Sequence, residues 1–246
     1  MSPNQRRPTK TGGGIRRAAA SPGLNWPWWV VGAAIVIAGV VAVALSAGGG
    51  GSSGSGSGGG TTSGQVEIAS TVAVSGTPLP TLTDSTNDPA VGKTAPTLTG
   101  VTFKGSPVTI GNTGQAHLVI MVAHWCPHCQ AEVPRIVSLS KVGQIPVPVV
   151  SVATGTDPSA SNYPPSAWLA REGWPYPVLV DTKTETAASS YGLPGYPFLV
   201  FVDAHGKVAG RLSGEVAPSD LTKLFAALAA GKPLPIPGAG ASSAGK

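Results

Sequence analysis

Short apolar runs alternate with longer amphipathic segments between residues 89 and 230. Short runs rich in Val, Ile and Leu indicate strands, whereas apolar residues three and four positions apart indicate helices. This alternation predicts an α/β domain with a central mixed β-sheet flanked by helices. We predict strands at 97–103, 108–110, 117–123, 147–153, 177–180, 198–202 and 207–212, and helices at 127–141, 166–172, 184–191 and 217–230.

The segments beside this domain differ from it in composition. Residues 48–64 are mainly Gly and Ser, and we predict a flexible linker there. Residues 231–246 are rich in Gly, Pro, Ala and Ser, and we predict a flexible tail. Residues 65–88 contain Thr and Ser with short apolar alternations, which fit either a loose hairpin or an extended chain. This extension therefore stays poorly defined.

Residues 26–47 contain no charged side chain and are mostly apolar. As a helix, this segment would cross roughly 30 Å of hydrocarbon at about 1.5 Å per residue. Trp26, Trp28 and Trp29 lie at its start, where indole rings favour the headgroup layer of a bilayer. We therefore predict one transmembrane helix preceding the domain.

The net positive charge of the chain comes from the residues before this segment. The formal net charge is +5 with a pI of about 9.4, and residues 1–25 hold all of the excess as Lys and Arg. By the positive-inside rule, this tail is cytoplasmic and the domain lies outside the cytoplasm, attached to the cell membrane. Because the domain is neutral, we do not expect it to bind nucleic acid.

A cleaved signal peptide is the alternative interpretation of the apolar segment. Small residues around Ala44, Ser46 and Ala47 resemble a cleavage site. We favour an uncleaved anchor because the basic region and the apolar run are long and a Gly/Ser linker follows. Both interpretations place the domain in the same compartment.

The chemistry of the chain is concentrated in Trp125-Cys126-Pro127-His128-Cys129, between a predicted strand and a predicted helix. The positive end of a helix dipole favours a thiolate at Cys126, and His128 can add positive charge or a hydrogen bond. Cys126 is therefore the predicted nucleophile. Trp125 is expected to shield the disulfide and to pack beside it.

Cys129 lies one helical turn after Cys126 and is the predicted resolving thiol, which attacks a mixed disulfide and releases the substrate. These are the only two cysteines in the chain, so electrons must come from or go to another molecule. We predict protein thiols and disulfides as substrates and an unidentified membrane or envelope protein as redox partner. No cofactor is required.

Three stretches together resemble the thioredoxin-fold oxidoreductases, and in particular the membrane-anchored TlpA/ResA-like branch with a DsbA-like Cys-Pro-His-Cys motif. The resemblance covers about residues 90–230 and implies a thioredoxin-like fold. The stretches are Gly92-Lys93-Thr94-Ala95-Pro96, the apolar strand with the cysteine motif, and Tyr191-Gly192-Leu193-Pro194-Gly195-Tyr196-Pro197-Phe198-Leu199.

The resemblance also implies a substrate-binding position opposite the cysteines. In this family a cis-proline faces the cysteines, and Pro197 occupies the matching position with Tyr196 as its neighbour. Thioredoxins also carry a buried acid on the strand before the motif, where this chain has Ile120. Glu132 could assist proton transfer through water, but we expect it to be a solvated residue on the helix surface.

The direction of exchange is open at this stage. The dipeptide Pro127-His128 resembles that of strongly oxidising DsbA-like proteins, and it favours a disulfide oxidase. The anchor and the flanking motifs resemble a reductase branch, which includes proteins of cytochrome c maturation.

Two other functional classes are alternatives. A structural zinc site needs four ligands, and the chain has no second Cys-x-x-Cys pair. A copper-binding protein could use Cys126 and Cys129 with His124 or His128, because thiolates are good ligands for soft metals. A scaffold with an inert thioredoxin-like shell would have little reason to keep both cysteines at this corner.

Overall fold

A computed structural model describes residues 64–237. The predicted basic tail 1–25, the transmembrane segment 26–47 and nearly all of the linker lie outside these residues. Helix α1 has the predicted bounds, and most other elements differ from prediction by only a few residues. In chain order the elements are β1 (Ala73–Ser75), β2 (Thr97–Val101), β3 (Pro107–Ile110), β4 (His117–Val122), α1 (Pro127–Lys141), β5 (Val149–Ala153), α2 (Pro165–Arg171), β6 (Val178–Val180), α3 (Thr186–Ser190), β7 (Phe198–Val202), β8 (Val208–Ser213) and α4 (Pro218–Ala229).

The central sheet has five strands in the order β6-β5-β4-β7-β8. Strand β4 pairs in parallel with β5 and antiparallel with β7, so the sheet is mixed. Helix α1 connects the parallel strands β4 and β5, as a crossover between parallel strands requires. The predicted α/β fold of thioredoxin type with a mixed central sheet is confirmed.

Both faces of the central sheet are buried. Successive residues of a strand point to opposite faces, and β4 follows this rule. Leu118, Ile120 and Val122 pack in a core that includes side chains of α1 and α4. Val119 and Met121 pack in a second core on the opposite face. All six residues of β4 are buried, which explains why the sequence shows a continuous apolar run there.

A smaller antiparallel sheet, in the order β1-β2-β3, completes the fold. Residues 65–88 are partly extended, and their strand β1 pairs with β2. Val72, Leu79 and Leu82 from this segment are buried in the second core. The segment therefore contributes to the packed structure of the domain.

A buried ion pair fixes residues 80–88 against β8. The guanidinium of Arg211 donates to both carboxylate oxygens of Asp88, at 2.8 and 2.6 Å, and both side chains are fully buried. The same guanidinium donates to the carbonyl oxygens of Pro80 and Tyr191, at 2.9 and 2.7 Å. Its polar atoms are thus satisfied although it is buried.

Helices between residues 64 and 237 are too short or too polar to span a bilayer. The predicted span at 26–47 is not among the residues searched.

Candidate active site

The cysteine motif lies at the corner where β4 ends and α1 begins. Cys126 is the N-cap residue of α1, and Pro127 follows in the first turn, where a missing N–H costs no hydrogen bond. Both cysteines are free thiols. Cys126 retains 5% of its surface exposed and Cys129 retains none. This difference in access is what a nucleophile at Cys126 and a resolving thiol at Cys129 require.

Burial controls the acidity of the second cysteine. Removal from water raises the pKa of the Cys129 thiol far above its ordinary value, and the neighbouring Cys126 and Glu132 raise the pKa further. Cys129 is therefore a neutral thiol at neutral pH. Before it can attack a mixed disulfide, a nearby group has to accept its proton.

Glu132 is buried, so the expectation of a solvated residue on the helix surface was wrong. Its side chain is fully buried, at the helix position three residues after Cys129. Loss of water raises the pKa of this carboxyl group, although a backbone N–H and Arg135 partly offset that effect. Cys129 and Glu132 share the inward face of α1, because residues three apart on a helix are neighbours.

The two carboxylate oxygens of Glu132 have different surroundings. Oε2 accepts hydrogen bonds from the backbone N–H of Val216, at 3.1 Å, and from Arg135, at 3.2 Å. Oε1 is buried and has no hydrogen-bond partner among the described residues. A buried oxygen without a partner is costly, and it is able to accept a proton.

Glu215 connects the cysteine motif to the charged groups on α1. One carboxylate oxygen lies 2.8 Å from Nδ1 of His128, and the other lies 2.6 Å from Arg135. These two contacts lower the pKa of Glu215, with the hydrogen bond from His128 contributing most. A negative charge therefore lies directly against the histidine between the two cysteines.

Tyr196 and Pro197 lie opposite Cys126, as the resemblance implied. The Tyr196–Pro197 peptide bond is cis. The thiol of Cys126 faces the carbonyl oxygen of Tyr196 at 3.6 Å, and this residue pair is 70 positions apart in sequence. The backbone before Pro197 is thus next to the sulfur that would carry a substrate.

Trp125 and Tyr196 form an aromatic pair beside the thiol. Their ring centroids are 5.8 Å apart in an edge-to-face arrangement. The indole N–H of Trp125 donates to the carbonyl oxygen of Gly155 at 2.7 Å, and 37% of the tryptophan surface is exposed. A substrate reaching Cys126 would meet this partly exposed ring.

Both ring nitrogens of His124 make hydrogen-bond contacts within the protein. The side chain is buried, with Nδ1 2.7 Å from the carbonyl oxygen of Ser161 and Nε2 accepting the N–H of Asp157 at 3.2 Å. Across residues 64–237, no cluster of three or more His, Cys, Asp or Glu side chains could hold a metal ion. These observations give no support to the copper alternative.

Sequence reasoning missed three residues of this site. Glu185 and Glu215 had no local signal, because they reach Tyr196, His128 and Arg135 only through the fold. Arg135 pairs locally with Glu132, three residues earlier on α1, but its contact with Glu215 is likewise made only in the folded chain. Glu132 did have a signal. Cys129, Glu132 and Ile136 recur at helical spacing on the buried face of α1, so the pattern that predicts the core also predicts a buried Glu132.

Comparison with known proteins identifies relatives of this domain. Residues 90–228 match the redoxin family. A thiol:disulfide interchange protein DsbE homolog from Paracoccus denitrificans is 29% identical over 108 residues, which cover 44% of this chain and 56% of that protein. The thiol:disulfide interchange protein DsbE of Allochromatium vinosum is 28% identical over 152 residues, covering 59% of this chain and 81% of that protein. The chain thus spans little more than half the length of the Paracoccus relative.

Solved structures show the same fold at low sequence identity. An uncharacterized conserved protein from Geobacillus kaustophilus aligns with a TM-score of 0.51 and 20% identity, covering 59% of this chain and 85% of that chain. A hypothetical protein from Sinorhizobium meliloti aligns with a TM-score of 0.50 and 18% identity, covering 60% of this chain and 88% of that chain.

Proposed function

The chain belongs to the redoxin family, and we propose that it is a thiol–disulfide oxidoreductase that reduces disulfides in protein substrates. The observation that carries the direction is the contact of Glu215 with His128. The relatives named thiol:disulfide interchange proteins support the reaction class.

The proposed reaction has two exchange steps. The Cys126 thiolate attacks one sulfur of a substrate disulfide, forming a mixed disulfide and releasing the other substrate sulfur as a thiolate. Cys129 then loses its proton, and its sulfur attacks Sγ of Cys126, releasing the second substrate thiolate. The substrate gains two electrons, and Cys126 and Cys129 become a disulfide. A dithiol protein of the envelope returns the pair to its reduced form by the reverse exchange.

The charges around the site support reduction. A Cys-Pro-His-Cys motif favours oxidation when the histidine stabilises the reduced thiolate. Here the carboxylate of Glu215, 2.8 Å from the ring, places a negative charge beside the motif and offsets the stabilisation that His128 can give to the thiolate. Glu132 also disfavours a negative charge on the nearby Cys129. A less stabilised thiolate gives a lower reduction potential, so the dithiol is a better reductant.

The reduction potential of the Cys126–Cys129 couple tests this direction. The full chain is equilibrated with glutathione and dithiothreitol buffers, and free thiols are trapped and counted. We expect a value near that of thioredoxin, about −270 mV. A value near that of DsbA, about −120 mV, would overturn the reductase proposal and support the oxidase that the dipeptide alone favoured.

We also propose that the domain works outside the cytoplasm, attached to the membrane by residues 26–47. The uncharged apolar run and the five preceding cations support this topology. Protease added to intact spheroplasts is expected to digest the domain. In untreated cells, the full chain is expected in the membrane fraction. Full protection of the domain until the cells are lysed would contradict the topology, and recovery in the soluble fraction would contradict the anchor.

A further inference from the structure

The phenol of Tyr196 is held by a carboxylate from another element. The hydroxyl of Tyr196 donates to Oε2 of Glu185 at 2.5 Å. Burial, together with the contact to Glu185, raises the pKa of Tyr196, so the phenol stays protonated and remains the donor. Tyr196 is the residue whose carbonyl oxygen faces Cys126.

Glu185 adopts a backbone conformation that places its carboxylate at this phenol. Its φ of 56° and ψ of 42° lie in the left-handed region, which is unfavourable for a non-glycine residue. Glu185 and Asn162 are the two non-glycine residues with positive φ in residues 64–237. Backbone strain of this kind persists where surrounding contacts enforce it, and it is enriched at functional sites.

The carboxylate of Glu185 is not used to cap its own helix. Glu185 is the N-cap residue of α3 but makes no side-chain hydrogen bond to that helix. Asp181 accepts the N–H groups of Ala187 and Ala188 instead, at 2.8 and 3.1 Å. The N-terminus of α3 is thereby satisfied, and Glu185 is left to bind Tyr196.

Gly155 completes the surroundings of the phenol. A Cβ atom at Gly155 would lie 2.7 Å from the Tyr196 hydroxyl oxygen, so a side chain at this position would displace the tyrosine. The carbonyl oxygen of Gly155 accepts the indole N–H of Trp125. The side chain of Trp125 thus contacts both Gly155 and the Tyr196 ring. Glu185 binds the hydroxyl group of that ring.

We propose that Glu185 is a positioning residue that determines substrate specificity by holding the Tyr196 ring against Trp125, so that the pair binds an apolar side chain next to the substrate cysteine. This inference rests on the proposed exchange with protein substrates but not on its direction. The two rings form a fixed apolar surface only while the phenol is held. A small thiol bound to Cys126 would not reach this surface.

A competition experiment tests this role in either redox direction. The full chain carrying Cys129→Ser is converted to its mixed disulfide with 2-mercaptoethanol at Cys126. It is then equilibrated with a short peptide that has one cysteine next to a phenylalanine. The peptide thiol displaces 2-mercaptoethanol, and the exchange constant is measured. A matched peptide with glycine in place of phenylalanine gives the contribution of the apolar side chain.

We expect the phenylalanine peptide to be preferred about three- to tenfold over the glycine peptide when Glu185 is present. Glu185→Gly suits the left-handed backbone and removes the carboxylate, so it should abolish this preference. Tyr196→Phe should do the same, whereas Glu185→Gln keeps an acceptor and should retain most of it. Glu172→Ala, which alters a carboxylate at the end of α2, is the control and should change nothing.

Equal exchange constants for the two peptides, measured with the Cys129→Ser chain that retains Glu185, would overturn the proposal. A preference that survives both Glu185→Gly and Tyr196→Phe would also overturn it. The reductase assignment is tested separately by the reduction potential of the unmodified chain. Failure of one proposal is therefore distinguishable from failure of the other.

Discussion

The backbone N–H of Val216 donates to the carboxylate of Glu132 at 3.1 Å, linking the loop after β8 to the buried face of α1. The two residues are 84 positions apart, so this contact exists only in the folded chain. The bond satisfies one oxygen of Glu132 and leaves the other without a partner among the described residues. The buried carboxylate near Cys129 is therefore positioned by two separate elements.

Glu132 should make the stability of the domain depend on pH. Its pKa in the folded state is raised above the ordinary 4.5, so the folded state binds more protons than the unfolded state between these two values. The stabilising contribution is complete below about pH 4.5 and is lost as pH rises through the folded value. Glu132→Gln should remove this part of the slope. The free energy of unfolding, measured in urea from pH 4 to 8 for both proteins, checks it.

The same substitution should slow the release of substrate from Cys126. Glutamine cannot accept the proton of Cys129, and positioned general bases contribute about a hundredfold or more. We expect slower resolution of a preformed mixed disulfide, with formation of that disulfide nearly unchanged. Stopped-flow measurements of the two steps separate these effects. Equal slowing of both steps would instead indicate general damage to the site.

The two Cys→Ser variants should differ in how much mixed disulfide with substrate they accumulate. With Cys129→Ser, Cys126 can form a mixed disulfide that nothing in the chain resolves, so covalent complexes with substrate should accumulate. With Cys126→Ser, the remaining thiol is fully buried, and few complexes should form. Non-reducing electrophoresis after acid trapping measures both. Equal trapping by the two variants would contradict the assigned roles.

The main elements could be predicted from sequence because their signals are local. Strand β7 is apolar throughout and β4 is apolar after His117, since both faces of the sheet are covered. Helix α1 begins at Pro127, which is favoured at a first helical position. The cysteine motif was located by its spacing and by its place between a strand and a helix.

The charged part of the site could not be predicted in the same way. His128 and Glu215 are 87 positions apart, and no local pattern connects them. Glu185 precedes a short helix whose first N–H groups are bound by Asp181, so the contact of its carboxylate with Tyr196 is visible only in the structure. The burial of Glu132 was predictable from helical spacing. The expectation failed because the usual exposure of glutamate was given more weight than its position.

Removing half of the buried ion pair should destabilise the domain strongly. Asp88→Asn leaves the fully buried guanidinium of Arg211 without its carboxylate, and breaking such pairs costs about 3–5 kcal/mol. The exposed pair of Asp220 and Lys223 offers a control, since Asp220→Asn should cost less than about 1 kcal/mol. Urea unfolding of the variants measures both changes. A small loss with Asp88→Asn would mean that the ion pair adds little to the other hydrogen bonds and the apolar packing that hold residues 80–88.

Glu215 should keep the reduction potential of the cysteine couple low. Glu215→Gln removes a negative charge that offsets the effect of His128 on the Cys126 thiolate, so the reduced form is better stabilised and the potential rises. Because the contact is partly exposed to solvent, we expect a rise of about 10–30 mV that shrinks in concentrated salt. Glu215→Gln combined with His128→Ala should lose this rise, since the carboxylate acts through the histidine ring. Asp220→Asn, which removes a carboxylate in the first turn of α4, is the control and should leave the potential unchanged. A rise that persists without His128 would assign the effect to Arg135 and Glu132 instead.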